Sequence, residues 1–184
     1  MLTIDWIRHT SLHVTGAICY GHTDLDVSES FPQEAALVKE KLEGKSYDKA
    51  FSSPLQRARK LAEFSGLNFE LDDRLMERDF GSWEMRPWEE IFEELRAQDD
   101  VTDYRGHLEL TAPPGGETVN QLIGRVGEFI LEMQRTQEGR IAVFCHGGVV
   151  NSARFLNGDL DLEHLFVDVP NYGSITSIEY PTLK

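Results

Sequence analysis

The feature that most constrains this chain is Ile141-Ala142-Val143-Phe144-Cys145, the longest uninterrupted apolar run in its 184 residues. Five apolar residues with no polar alternation suit a strand buried on both faces, as in a parallel sheet covered by helices. Arg140 leads into the run and His146-Gly147-Gly148 turns out of it, into a helix reaching about Asn157. Gly139 ends the segment before it, which is the most regular in the chain. Thr118-Val119-Asn120-Gln121 has the form of a capping box, and Val119, Leu122, Ile123, Val126, Phe129, Ile130 and Met133 repeat at helical spacing. Helix, buried strand and helix in direct succession are the repeating unit of layered α/β folds.

The other segments keep that alternation. Leu2 to Ile7 reads as a strand stopped by Arg8-His9-Thr10, and the stretch to Ser30, rich in Gly, Thr, Asp and Ser, reads as loop. Ser30-Phe31-Pro32-Gln33 predicts a helix start, with a Ser cap, an early Pro and Gln three residues on. That helix is expected to reach about Leu42 and end at Gly44. Lys49 to Ser52 reads as a short buried strand. A helix follows from Pro54, with Leu55, Ala58, Leu61 and Ala62 on one face, to near Gly66. Asn68 to Leu71 reads as a third short strand, residues 98–116 as loop, and Ser174 to Tyr180 as an alternating final strand. With no internal repeat, low-complexity tract or linker, the reading is one domain over residues 1–184.

Composition removes several function classes. Net charge is −14, from 18 basic and 32 acidic residues. Binders of nucleic acid or anionic membrane carry a basic stripe, and the densest basic cluster here is Arg57, Arg59 and Lys60. No nucleic-acid or membrane partner is therefore expected. Twelve acids and four arginines crowd residues 70–100. They read as a solvated helical face around Trp88 to Arg96, with Ile91, Phe92 and Leu95 turned inward. No apolar run approaches the ~20 residues that span a bilayer. Asp5 and Arg8 interrupt the first apolar stretch, so no signal peptide is read and a cytoplasmic location is expected. Cys19 and Cys145 are too few for a disulfide scaffold or zinc module and read as reduced thiols. The acidic background still permits an anionic small molecule, because it is screened within ~10 Å.

Two strand ends carry candidate chemistry. One strand finishes in Arg8-His9-Thr10 and another in His146-Gly147-Gly148. If the two are parallel neighbours, His9 and His146 meet beyond the carboxyl end of the sheet, where open α/β sheets bind ligands. The junction Ser52-Ser53-Pro54 places Arg57 one turn into its helix. Helix N-termini offer free N–H groups and a positive dipole end, and arginine a forked donor, so the convergence suits an anion. Taken singly, each residue has an ordinary structural role: a strand-end charge at Arg8, a packed histidine, a tight turn at Gly147-Gly148. His9 and His13 have the spacing of a helical ligand pair but follow a strand end. No cluster closes a ligand set, so no metal and no cofactor are expected.

Five blocks in order make the chain recognisable. Ile7-Arg8-His9-Thr10 resembles the Arg-His-Gly signature of the histidine phosphatase superfamily, the phosphoglycerate mutase-like proteins, with Thr in place of Gly. Phe51-Ser52-Ser53-Pro54-Leu55-Gln56-Arg57-Ala58 is similar to its Ser-Ser-x-x-x-Arg-Ala block. The stretch from Leu75 to Glu84 resembles the one that carries its acidic residue. Pro114-Gly115-Gly116-Glu117 and Val143 to Gly148 are similar to two more. The resemblance covers nearly the whole chain. It implies a three-layer α/β sandwich with a mostly parallel central sheet, and residues 84–116 as a variable cap beside the site.

The resemblance also implies the chemistry. His9 would be the nucleophile that forms a phosphohistidine. Arg8, Arg57 and a cationic His146 would hold the phosphate oxygens, with Gly147 and Thr15 as further phosphate contacts. Glu77 would be the acid for the leaving oxygen and then the base for water. No metal or cofactor is needed. A phosphate monoester carries about −1.5 to −2 near neutral pH, which such a set would balance. Ile18-Cys19-Tyr20-Gly21-His22-Thr23-Asp24 is similar to the alpha-ribazole phosphatases, so the expected partner is a small phosphomonoester, alpha-ribazole 5′-phosphate of cobalamin assembly. The alternatives are a sugar-phosphate or phosphoglycerate phosphatase or mutase, and a non-catalytic phosphate binder on the same fold. The oligomeric state stays open. The sequence departs from the family pattern at Thr10, at Leu12 and at Met85-Arg86, where a Gly commonly follows Trp-Glu.

Overall fold

The computed structural model describes residues 1–14, 17–98 and 112–183. Its strands are β1 (Leu2–Arg8), β2 (Lys49–Ser52), β3 (Glu70–Leu71), β4 (Gly139–Cys145) and β5 (Ile175–Tyr180). Its helices are α1 (Phe31–Leu42), α2 (Gln56–Ser65), α3 (Trp88–Gln98), α4 (Val119–Thr136) and α5 (Gly147–Asn157), with single turns of 3₁₀ helix at Asp73–Leu75, Gly81–Trp83 and Leu162–His164. The sheet runs in the order β3-β2-β4-β1-β5. β1, β2 and β3 are parallel to their neighbours around the central β4, and only β5 runs antiparallel, against β1.

The apolar run becomes that central strand, and its alternate residues build two cores. Ile141, Val143 and Cys145 pack with Leu2, Ile4 and Trp6 of β1 against Leu122, Val126, Phe129 and Met133 of α4 and Val149, Val150 and Ala153 of α5. Ala142 and Phe144 face the other way, with Ile7, onto Ala35, Val38 and Leu42 of α1 and Leu61 and Ala62 of α2. Helices thus cover both faces of the sheet, giving the three expected layers. A third, smaller core joins Cys19, Phe80, Trp83 and Ile91, with Phe92 and Leu95 packed against it. The acidic residues of α3, from Glu89 to Glu94, are exposed, as a solvated face requires. No described helix is long and apolar enough to cross a membrane.

Local signals held unevenly. The capping box of α4 forms in full, with Thr118 accepting from the Gln121 N–H and Gln121 accepting from the Thr118 N–H. Ser30 does precede α1, but its side chain makes no cap hydrogen bond; the hydroxyl donates instead to Glu34 Oε1 at 2.5 Å, beside Ser11 and Ser28. Helix α2 begins at Gln56, two residues later than expected. Leu55 is extended there, and Asp24 supplies the cap from a distant loop, accepting from the Gln56 N–H at 2.7 Å. The third strand contracts to Glu70–Leu71, an edge paired only with β2. Of the expected loop at 98–116, residues 99–111 lie outside the described residues.

One charged group sits inside the sheet. The Asp5 side chain is fully buried on β1, and it accepts from Lys45 Nζ, Tyr47 Oη, Arg140 Nη1 and Ser177 Oγ. Burial alone would raise its pKa, but these four donors outweigh it and hold the carboxyl below its ordinary value. The stability this carboxylate contributes is present above the unfolded-state pKa of about 3.9 and is lost as pH falls through the lower folded value. Asp5→Asn should cost about 3 kcal/mol in urea unfolding at pH 7, because two cations lose their buried partner. The variant should also lose part of the wild type's decline in stability below about pH 4; parallel pH profiles would show that Asp5 carries none of it.

Candidate active site

The parallel pairing of β1 with β4 sets Arg8 beside Cys145, and the His9 N–H continues the ladder by donating to the Cys145 carbonyl at 3.0 Å. The two strand ends therefore open together, and the rings of His9 and His146 lie 5.2 Å apart. The Ser53 N–H donates to the Phe144 carbonyl at 2.9 Å, which anchors the start of the segment leading into α2 on the other side of β4. Arg57 is the second residue of α2 rather than a full turn in, and its side chain reaches back so that Nε donates to His146 Nδ1 at 3.2 Å. Arg8, His9, Arg57 and His146 are thus brought together. Thr15 lies outside the described residues.

The two histidines have defined roles in this network. His9 Nδ1 lies 2.7 Å from the Thr10 carbonyl, which can only accept, so Nδ1 carries the proton and Nε2 the lone pair. Burial first, then the charges of Arg57 and Arg8, hold its pKa well below the ordinary imidazole value. His146 differs from the cationic group expected. It accepts from Arg57 at Nδ1, and Nε2 faces Ser53 Oγ at 2.8 Å as donor. Burial and the surrounding positive charge of Arg57, with lesser effects of His9, Arg125 and Arg8, keep it neutral. The positive charge of the site resides on its arginines. Arg57 is fully buried, and its terminal nitrogens donate to the Thr23 and Gly21 carbonyls at 2.9 and 2.6 Å. Arg8 donates through Nη1 to the Pro170 carbonyl and lies 4.0 Å from the centre of the Tyr172 ring. Its buried Nε has no acceptor among the described residues.

Glu77 enters from another side. Oε2 accepts from the Gly148 N–H at the start of α5 at 3.0 Å, a position that the helix dipole favours for an acid, and Oε1 accepts from the Arg78 N–H at 2.9 Å. Arg125 of α4 fixes the backbone beneath it, donating to the carbonyls of Arg74, Met76 and Glu77 while paired with Glu117. Space is tight: a Cβ at Gly148 would overlap Glu77 Oε1, and one at Gly147 would crowd Val169 and approach Arg8 Nε. Gly147 therefore serves the close approach of the helix start and Val169.

A cavity of about 470 Å³ opens over Arg8, His9 and Glu77. Arg57 and His146 are buried and are not among its lining residues, and the Arg57 guanidinium lies 5.5 Å from the centre of the Tyr20 ring. The rest of the wall is apolar or aromatic. It includes Tyr20, Phe80, Trp88, Phe92, Phe166 and Tyr172, and the Tyr20 and Tyr172 hydroxyls are 2.8 Å apart. Phe166, Val167, Val169 and Tyr172 reach the site by tertiary packing, from a segment that carries no periodicity or motif in the sequence. Met85 has a φ of 63°, the one non-glycine positive value among the described residues, a backbone position that suits the Gly of the resembled pattern. The one metal-like donor cluster among them, Asp161, Glu163 and His164, is exposed and lies outside the cavity lining.

The family model for histidine phosphatase superfamily branch 1 matches residues 6–182. The chain belongs to this superfamily. It is 29% identical over 143 residues to phosphoserine phosphatase 1 of Hydrogenobacter thermophilus, covering 73% of this chain. This chain spans 65% of that relative's length. It is 28% identical over 180 residues to the putative phosphoserine phosphatase 2 of the same organism, 94% of this chain and 86% of that one. Among solved structures, Bacillus stearothermophilus YhfR superposes with a TM-score of 0.82 at 26% identity, over 97% of this chain and 91% of that one. The match extends through β5, so all the strands that build the site belong to the superfamily fold.

The contact between Gly148 and Glu77 generates a test. Gly148→Ala should force the Glu77 carboxylate away from the start of α5, visible in a crystal structure of the variant. Turnover should fall on the order of 10²-fold, the cost of misplacing a reacting group by about 1 Å, with a melting temperature within a few degrees of wild type. Unchanged turnover would mean that the position of Glu77 does not matter.

Proposed function

We propose that this chain is a phosphomonoester hydrolase working through a phosphohistidine on His9. The observation that carries the reading is the geometry at His9: its Nδ1–H is tied to the Thr10 carbonyl, which leaves the lone pair on Nε2, and burial and the charges of Arg57 and Arg8 push its pKa down. A nucleophile needs that lone pair, and burial keeps it unprotonated. In the first step Nε2 attacks phosphorus, the P–O ester bond breaks, and the carboxyl form of Glu77 gives its proton to the departing oxygen. In the second, the Glu77 carboxylate takes a proton from water, the water oxygen attacks phosphorus, and the P–N bond breaks to release inorganic phosphate. Arg8 and Arg57 stabilise the charge spread over the phosphoryl oxygens, with Gly147 as a further contact. His146 orients Arg57 by accepting its Nε–H at Nδ1. No step uses a metal.

For the substrate, the wall of Phe80, Trp88, Phe92 and Phe166 favours an alcohol portion that is flat and apolar. Alpha-ribazole 5′-phosphate, with its benzimidazole base, fits that description and agrees with the Ile18 to Asp24 segment. In this reading α3 acts as part of a cap and supplies Trp88 and Phe92. The second reading, phosphoserine, rests on the names of the two Hydrogenobacter relatives. A polar amino acid would leave its charges against an aromatic wall.

Two measurements test this reading. Enzyme quenched during turnover in excess EDTA should carry acid-labile phosphate on the peptide containing His9, and His9→Ala should carry none. A variant retaining more than about a tenth of wild-type activity, a loss under ~1.4 kcal/mol, would exclude the covalent route, and loss of labelling in EDTA would exclude metal independence. In a panel of alpha-ribazole 5′-phosphate, naphthyl phosphate, phosphoserine and 3-phosphoglycerate, kcat/KM should be at least about tenfold higher for the first two, since burying a few apolar groups gives ~1–3 kcal/mol of discrimination. Phosphoserine ranking first would replace the aromatic-substrate reading.

A further inference from the structure

Glu84 is outside the cavity lining, yet its carboxylate gathers three successive backbone N–H groups from the loop that holds Arg57. Oε2 accepts from the N–H of Gly21 at 3.0 Å and of Thr23 at 3.1 Å, and from Thr23 Oγ1 at 2.6 Å. Oε1 accepts from the His22 N–H at 2.9 Å and from the Phe80 N–H at 3.1 Å. The carbonyls of the same loop face the opposite way. Gly21 and Thr23 present theirs to the two terminal nitrogens of Arg57. The Gly21–His22 peptide unit therefore stands between a carboxylate at its N–H end and a guanidinium at its C=O end, with its dipole aligned to both charges.

Two further observations fix the carboxylate in place. The backbone beside Glu84 is pinned to the strand-like segment before the loop. The Met85 N–H donates to the Cys19 carbonyl and the Cys19 N–H to the Arg86 carbonyl, both at 2.8 Å. Met85 tolerates its positive φ within that clamp, as a strained residue does where its surroundings over-determine it. The loop itself runs so close to the acid-bearing segment that a Cβ at Gly21 would overlap the Arg78 carbonyl.

We propose that Glu84 is a positioning residue for Arg57, acting through the Gly21-His22-Thr23 loop to aim the guanidinium at the transferring phosphoryl group; this rests on the reading of the site as a phosphoryl site. Arg57 has five N–H donors. Three are committed to His146 Nδ1, the Thr23 carbonyl and the Gly21 carbonyl. The loop therefore dictates where the remaining two, one on each terminal nitrogen, are directed. Without the Glu84 carboxylate the loop would have three N–H groups to re-partner, and its carbonyls would no longer be held on Arg57.

The test is a double-mutant cycle read by calorimetric binding of inorganic phosphate and by kcat/KM. Glu84→Gln puts an amide N–H₂ against N–H donors and should weaken phosphate binding at least about tenfold, as should Arg57→Met, which fills the space without the charge. The combination should be no worse than Arg57→Met alone, because both act through one guanidinium. Glu84→Asp, which restores the charge, should recover part of the loss. Thr23→Val removes one donor to the carboxylate. It should give a smaller loss that also vanishes in the Arg57→Met background, and it decides the matter if Glu84→Gln fails to fold. Additive losses, or unchanged phosphate affinity in both Glu84→Gln and Thr23→Val, would overturn the proposal. Unchanged phosphate affinity in Arg57→Met would instead overturn the phosphoryl-site reading, and this inference with it.

Discussion

The structure depends above all on the pairing of β1 with β4. Seven successive residues of each strand match, from Leu2 with Gly139 to Arg8 with Cys145, so the strands end at the same level. Both faces of that pair are covered, which removes water from the ladder and makes its register costly to shift: a slip of one residue would turn Ile141, Val143 and Cys145 from one core into the other. With the register fixed, His9 and His146 have little freedom but to meet. The helix that starts at Gly147 then adds its N-terminus to the same place.

The electrostatics follow from burial rather than from composition. The chain carries a net charge of −14, yet its site holds two arginines and two neutral imidazoles. The imidazoles stay neutral because ionising them would put more positive charge into a buried space beside Arg57. Burial lowers the pKa of Arg57, and nearby carboxylates, Glu77 foremost, oppose that only in part, while two backbone carbonyls accept from its terminal nitrogens. Strong acids and bases thus supply the fixed charge, and the imidazoles remain free for lone-pair chemistry.

Much of this was legible in the sequence for physical reasons. A five-residue apolar run suits a two-sided burial, and α4 is long and periodic enough to declare its face. The Arg8-His9, Arg57 and His146 motifs sit at strand ends or beside a strand-to-helix junction, where spacing along the chain translates into position in the fold. What escaped was set by partners distant in sequence. Ser30 could not reveal that its hydroxyl would turn to Glu34. Gln56 could not reveal a cap supplied by Asp24. The charge of His146 depends on Arg57 lying against it, and the aromatic wall depends on Phe166 and Tyr172 arriving from a segment without periodicity.

The placement of β1 has a consequence for how the molecule acquires its form. Its two sheet partners are β4 and β5, which begin at Gly139 and Ile175. During synthesis the first strand, carrying His9, emerges long before either exists. Contacts of such sequence separation slow folding, because the loop must close before they form. The segment from Leu2 to Ile7 therefore lacks both sheet partners until β4 and β5 have been made. Asp5 and Arg8 at its middle and end then have a second use: charges within a strand discourage its pairing with other chains during that interval.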